Sequence, residues 1–187
     1  MSADLAGKRI AVLATDGVER VELTSPKEAL ERAGATVEVL APADGAIQAW
    51  DHAEKSGTIT VDRAVAAADP QDYDGLILPG GVRNADHLRI DKPSVRFVTA
   101  MVRRDAPVGV VCHGAWILIE AWAVNGRTVT SYPSLRTDLQ NAGAHWVDEE
   151  VHNDHGLVSS RTPDDLPAFN AKIVEEFAEG AHRREAA

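Results

Sequence analysis

Cysteine is nearly absent from this chain: Cys112 is one residue among 187. A single thiol cannot close an intramolecular disulfide, so the expected setting is a reducing compartment, the cytoplasm. Basic residues are also outnumbered, 19 Lys and Arg against 29 Asp and Glu, for a formal net charge of -10. That balance excludes a nucleic-acid backbone or an anionic membrane surface as the main partner, because each demands a basic patch. The two adjacent arginine pairs, Arg103-Arg104 and Arg183-Arg184, read as solvated helix faces. No apolar run approaches the roughly 18 residues of a membrane span, and Met1 to Lys8 holds no apolar core of signal-peptide length. Phe and Tyr are scarce, three and two. Four tryptophans, Trp50, Trp116, Trp122 and Trp146, carry most of the aromatic surface, either in the core or as anchors of a homo-oligomeric interface.

What is there suffices for one sizeable core: 44% of residues are hydrophobic, enough for a single domain over 1–187 with its core from about 8 to 180. Segments suited to buried strands alternate with amphipathic helices, the pattern of an α/β doubly wound, mostly parallel sheet. Arg9 to Ala14 reads as a strand, Ser25 to Ala33 as a helix with Pro26 in its first turn, and Thr36 to Leu40 as the second strand. Residues 43–68 alternate weakly and read as a hairpin or edge strands. A central strand, Asp74 to Leu78, ends in Pro79-Gly80-Gly81, and a helix follows from about Ser94 to Arg104. Later come a strand over Val108 to Val111, an apolar helix from Ala115, a strand over Arg127 to Ser131, and a helix from Ser134 to Ala142. His145 to Val147 and Gly156 to Ser160 read as the last strands, and a C-terminal helix runs from Asp164 to about Glu179.

The sole cysteine falls on the turn between a buried strand and a helix. In that position helix N–H groups and the macrodipole favour a thiolate, which predicts a depressed pKa, whereas an arbitrary isolated Cys is an inert core residue. In an open α/β sheet, ligands bind beyond the carboxyl ends of the strands near a topological switch point. Three such loops carry suitable groups: Asp16, Glu19 and Glu22 after the first strand, Gly80-Gly81 after the central one, and Cys112-His113. The acids fit equally a charged helix N-terminus. Backbone N–H groups of Gly81 and His113 can form an oxyanion hole. Neighbours on a helix do not face each other, so a Cys112–His113 contact requires a sharp elbow. His52, His87, His145, His152, His155 and His182 have no partner that the sequence fixes. His152-Asn153-Asp154-His155, read as a turn between strands, lacks a second ligand cluster, and no G-x-G-x-x-G follows the first strand. No metal and no cofactor are expected.

These segments resemble the PfpI family of intracellular proteases and general stress proteins, within the class I glutamine amidotransferase-like superfamily. The resemblance runs from Ile10 to Phe177. Its motifs are residues 16–23 (DGVERVEL), 74–81 (DGLILPGG), 111–114 (VCHG), 130–133 (TSYP), 141–148 (NAGAHWVD) and 157–161 (LVSSR). It implies a flavodoxin-like α/β/α sandwich, with Cys112 as nucleophile, Glu22 as the carboxyl that hydrogen-bonds it, and His113 as the adjacent base. Glu19 and Tyr132 match positions lining the same pocket.

In protease-type members a glutamate from a neighbouring subunit completes the triad, in the loop after the Gly-Gly turn. Here Asp86 is the nearest match, shorter, in a loop that reads one residue longer. That departure resembles the stress-protein branch, for which activity on dicarbonyls such as methylglyoxal and on glycated groups has been proposed. The expectation is therefore a cytoplasmic stress-response enzyme, a homo-oligomer of two subunits or more, acting on small aldehydes or modified proteins and peptides. A cysteine peptidase or amidase is the second expectation. A redox sensor or chaperone that uses Cys112 oxidation is the third.

Overall fold

The computed structural model describes residues 4–180, so His182 and the Arg183-Arg184 pair lie outside the described residues. In chain order the strands are β1 (Arg9–Leu13), β2 (Val18–Glu19), β3 (Thr36–Ala41), β4 (Gly45–Asp51), β5 (Glu54–Val61), β6 (Arg63–Ala64), β7 (Gly75–Leu78), β8 (Val108–Val111), β9 (Thr128–Val129), β10 (His145–Trp146), β11 (Val151–Asp154) and β12 (Leu157–Ser160). The helices are α1 (Arg20–Arg32), α2 (Val82–Ile90), α3 (Lys92–Arg103), α4 (Ala115–Glu120), α5 (Arg136–Asn141) and α6 (Leu166–Glu179).

The central sheet has seven strands in the order β11-β12-β8-β7-β1-β3-β6. Every pairing is parallel except β11 with β12. Chain order leaves β1 toward β3 on one side and returns through β7 on the other, so the switch point lies between β1 and β7. Buried on both faces, the central strands β1, β7 and β8 read as near-continuous apolar runs. Their side chains still divide by the two-residue period: Ala11 and Leu13 join one core, Ile10 and Val12 the other. The first core packs Phe97 and Met101 of α3 and Leu118 of α4, while the second packs Leu23 and Leu30 of α1 with Phe169, Ile173 and Phe177 of α6. A layer on each face of the sheet makes the expected flavodoxin-like α/β/α sandwich. Residues 43–68 include the expected hairpin, β4 against β5, which pairs with the short β2 in a three-stranded side sheet.

Three expectations change. The first helix begins at Arg20 rather than Ser25, so Pro26 lies inside it and leaves the Glu22 carbonyl without its usual i+4 donor. The buried side of α1 holds Glu22, Leu23, Pro26 and Leu30, and burial of that stripe carries the helix through the proline. Residues 82–90, expected as a loop, form α2, capped by Gly81 at φ 87° and seated by Ala85 and Leu88. Residues 152–154, expected as a turn, belong to the edge strand β11; the turn is at His155-Gly156.

Candidate functional site

Cys112 sits where β8 ends, with a φ of 60°. Few side chains other than glycine adopt this left-handed conformation, and such strain is held in place by surrounding structure. The surroundings here are tight. A Cβ at Gly80 would come within 2.7 Å of Cys112 Cβ and 3.0 Å of the His113 nitrogen, so only glycine lets the β7 turn approach the elbow. The same bend swings the next residue round: His113 Nδ1 lies 3.2 Å from Cys112 Sγ. The elbow thus brings together two neighbours that a regular helix would keep apart. His113 stacks on Tyr132 at 4.7 Å between centroids and meets the Trp116 ring edge-on at 5.4 Å. Its Nε2 is 3.3 Å from Ser134 Oγ. Burial lowers the His113 pKa, so the imidazole is neutral near pH 7.

Glu22 enters from the first turn of α1 and is only 1% exposed. Its Oε2 accepts the Gly80 N–H at 2.8 Å, and the carboxyl also hydrogen-bonds the Cys112 thiol. Burial pushes its pKa up to about 7, opposed by those two hydrogen bonds and assisted by the nearby Glu19 carboxylate. Cys112 is also pushed up, first by burial and then by the Glu22 carboxylate, while the backbone N–H groups of His113 and Gly81 pull it down. The expected depressed thiol is therefore corrected, because helix-end donors are outweighed by burial and a neighbouring anion. Cys112 and Glu22 act as one titrating pair, because ionisation of either disfavours ionisation of the other in this pocket.

Gly81 and His113, expected as oxyanion donors, do converge on the sulfur. Of the three acids after β1, Glu22 and Glu19 reach the cleft and Asp16 does not line it; Asp16 Oδ1 instead accepts the Gln48 N–H of the hairpin at 2.7 Å. The cleft has a volume of about 540 Å3 and is walled by Glu19, Trp50, Arg83, Tyr132 and Asp164 around the Cys112 elbow. Arg83 lies over the Trp50 ring, 5.5 Å from its centroid. Asp86 is exposed on α2, one turn beyond the cleft-lining Val82 and Arg83, and does not itself line the cleft of its own chain.

Sequence reasoning missed the contribution of the hairpin. Pairing of Glu19 with Trp50 across β2 and β4 sets Asp51 and His52 beside Glu19. Glu19 Oε2 accepts the His52 N–H at 3.0 Å, and His52 Nδ1 is 2.9 Å from Asp51 Oδ1. Among the described residues these form the one group of three or more His, Cys, Asp or Glu whose ligand atoms all lie within 4.8 Å of one another, and two of them are exposed. His52 lines the cleft and gains a raised pKa, chiefly from its bond to Asp51. Asn84, fully buried, was also missed; its side chain spans the β1 and β7 turns.

Residues 8–176 match the sequence model of the DJ-1/PfpI family. An uncharacterised protein of Staphylococcus haemolyticus is 44% identical over 172 residues, which is 91% of this chain and 98% of that one. Among solved structures, Drosophila melanogaster DJ-1beta superposes with a TM-score of 0.83 at 26% identity, covering 91% of this chain and 90% of the other. A two-domain protein of Anabaena variabilis, containing DJ-1/ThiJ/PfpI-like and ferritin-like domains, gives a TM-score of 0.85 at 30% identity over 90% of this chain. The chain spans about half of that protein, 47% of its length.

Proposed function

Because the chain belongs to the DJ-1/PfpI family, we propose that it is a thiol enzyme that converts reactive dicarbonyls, or the adducts they form, to hydroxy acids. One observation carries this reading: a nucleophile and a base are buried together, with the base's pKa near neutrality. General-base catalysis is most effective when the base titrates close to working pH, and Glu22 at about 7 meets that condition.

The chemistry follows with atoms conserved. Cys112 Sγ bonds to the aldehyde carbon as its proton passes to Glu22 and on to the aldehyde oxygen, giving a hemithioacetal. As charge develops on that oxygen, the N–H groups of Gly81 and His113, which donate to the sulfur before the bond forms, serve as its donors. Neutral His113, 3.2 Å from the sulfur, removes the proton from the former aldehyde carbon, the electron pair moves to the adjacent ketone, and His113 returns the proton to the ketone oxygen, giving an enediol. Transfer of the first carbon's hydroxyl proton to the second carbon leaves a thioester. Water hydrolyses it, freeing Cys112 and the hydroxy acid.

A peptidase has less support here, since the position that resembles the in-trans glutamate of protease-type members holds the shorter Asp86. The cytoplasm is the proposed location, a stress response the proposed setting, and a homo-oligomer the proposed assembly. Among the described residues no helix is long and apolar enough to cross a membrane. The test is lactate formation from methylglyoxal by the wild type, Cys112→Ser and Glu22→Gln. Turnover abolished by the first change and reduced at least 100-fold by the second is expected, the range of a lost general base being about 10²–10⁴. Equal turnover by wild type and Cys112→Ser sinks the proposal.

A further inference from the structure

Asn84 is fully buried, yet no step above uses it. Its Oδ1 accepts the Thr15 N–H at 2.7 Å, and its Nδ2 donates to the carbonyls of Pro79 and Gly80, each at 3.0 Å. This is the one orientation of the amide that pairs every donor with an acceptor, because the flipped form would set N–H against N–H and oxygen against two oxygens.

Each of those carbonyls belongs to a planar trans peptide, in which the following N–H points the opposite way. The plane holding the Pro79 carbonyl carries the Gly80 N–H, which donates to Glu22 Oε2 at 2.8 Å. The next plane, holding the Gly80 carbonyl, carries the Gly81 N–H, which donates to Cys112. The Gly80 carbonyl also accepts the Glu19 N–H at 3.3 Å, which reinforces the same plane. At Gly81 φ is 87°, and no side chain of its own fixes the turn. Two hydrogens of one carboxamide therefore set the direction of two donors, one for each member of the reacting pair.

We propose that Asn84 is a positioning residue that aims the Gly80 N–H at Glu22 and the Gly81 N–H at Cys112. The inference rests on the reading of Cys112 and Glu22 as that pair. Asn84→Asp keeps an acceptor for Thr15 but loses both donors, and Asn84→Ala loses all three bonds. In either variant the plane of the Pro79 carbonyl loses its side-chain anchor and that of the Gly80 carbonyl keeps only the Glu19 N–H, so the hydrogen bonds to Glu22 and Cys112 weaken.

Two readouts independent of any substrate test this: the pH dependence of Cys112 alkylation by iodoacetamide, and the titration of the Glu22 carboxyl followed by 13C NMR. Loss of one hydrogen bond to a charged group is worth about tenfold in an ionisation constant, so both midpoints should rise by about one pH unit. Phe177→Leu, a core change in α6 remote from the cleft, supplies a destabilised control whose midpoints stay at wild-type values. If the Asn84 variants lose stability but keep both midpoints, the residue is merely structural and the proposal fails. Should neither variant fold, through-hydrogen-bond couplings from Asn84 Nδ2 to the Pro79 and Gly80 carbonyl carbons in the wild type decide, and their absence overturns it. A wild type inactive on methylglyoxal with shifted midpoints in the variants would refute the proposed reaction and leave this inference standing.

Discussion

Replacing Glu22 with glutamine should make the protein more stable in mild alkali, and the size of the gain can be worked from the site. The carboxyl titrates near 7 in the fold against an ordinary 4.5, so between those values the native state binds more protons than the unfolded chain. Stability must then fall as pH rises through that window, because the slope has the sign of unfolded minus native proton uptake. Each tenfold difference in proton affinity between the two states is worth about 1.4 kcal/mol, so the loss between pH 5 and pH 8 is about 2–3 kcal/mol. That is a large share of the roughly 5–15 kcal/mol that holds a typical domain folded. Glutamine carries no titrating proton and can keep its oxygen on the Gly80 N–H. Urea denaturation of wild type and Glu22→Gln at pH 5, 6, 7 and 8 gives the difference directly. Contributions common to both proteins, such as that of His113, lowered by burial alone, cancel in it. The difference should grow with pH by about 2–3 kcal/mol in favour of the variant. Parallel curves would show that Glu22 ionises as freely in the fold as in the unfolded chain, and the buried-pair argument would fail with it.

Cys112 in the wild type should alkylate with a midpoint above the ordinary thiol value of about 8.5, and Glu22→Gln should lower it by removing the neighbouring anion; a wild-type midpoint below that value refutes the reasoning. Gly80→Ala should cost about 1–3 kcal/mol in thermal or urea unfolding and slow alkylation, since the new methyl meets Cys112 Cβ at 2.7 Å; unchanged stability would mean the turn moves freely. Light scattering across a dilution series should give at least twice the 20.0 kDa chain mass, and Trp122, 90% exposed, is the tryptophan left for such an interface; a monomer at every concentration removes any role for Asp86 in trans.

The parallel sheet, its order of elements and the thiol elbow were legible because continuous apolar runs and glycine turns mark them directly. Glu22 and Asn84 were harder to read for a shared physical reason. Each is a polar residue on the buried side of a helix whose start lacks a conventional signal: α1 begins without a side-chain cap and carries a proline in its interior, and α2 is capped by a left-handed glycine. Once the helices are placed, the anomaly is plain. Glu22 falls in the i, i+4, i+8 register of Pro26 and Leu30, and Asn84 stands one turn before Leu88. A carboxyl or amide in a core register costs stability unless it is bonded, and the cost is tolerated where the site gains from it. The contribution of His52 and Asp51 was hidden differently, by a parallel pairing between β2 and β4 that no local pattern encodes. Chain order brings the hairpin to the cleft only after β2 has placed Glu19, so the acidic rim around Cys112 is a product of topology. The charged face of that rim should then be the part of the site most free to change with substrate, whereas Glu22 and Cys112 are held by burial and the two peptide planes behind them by the Asn84 amide.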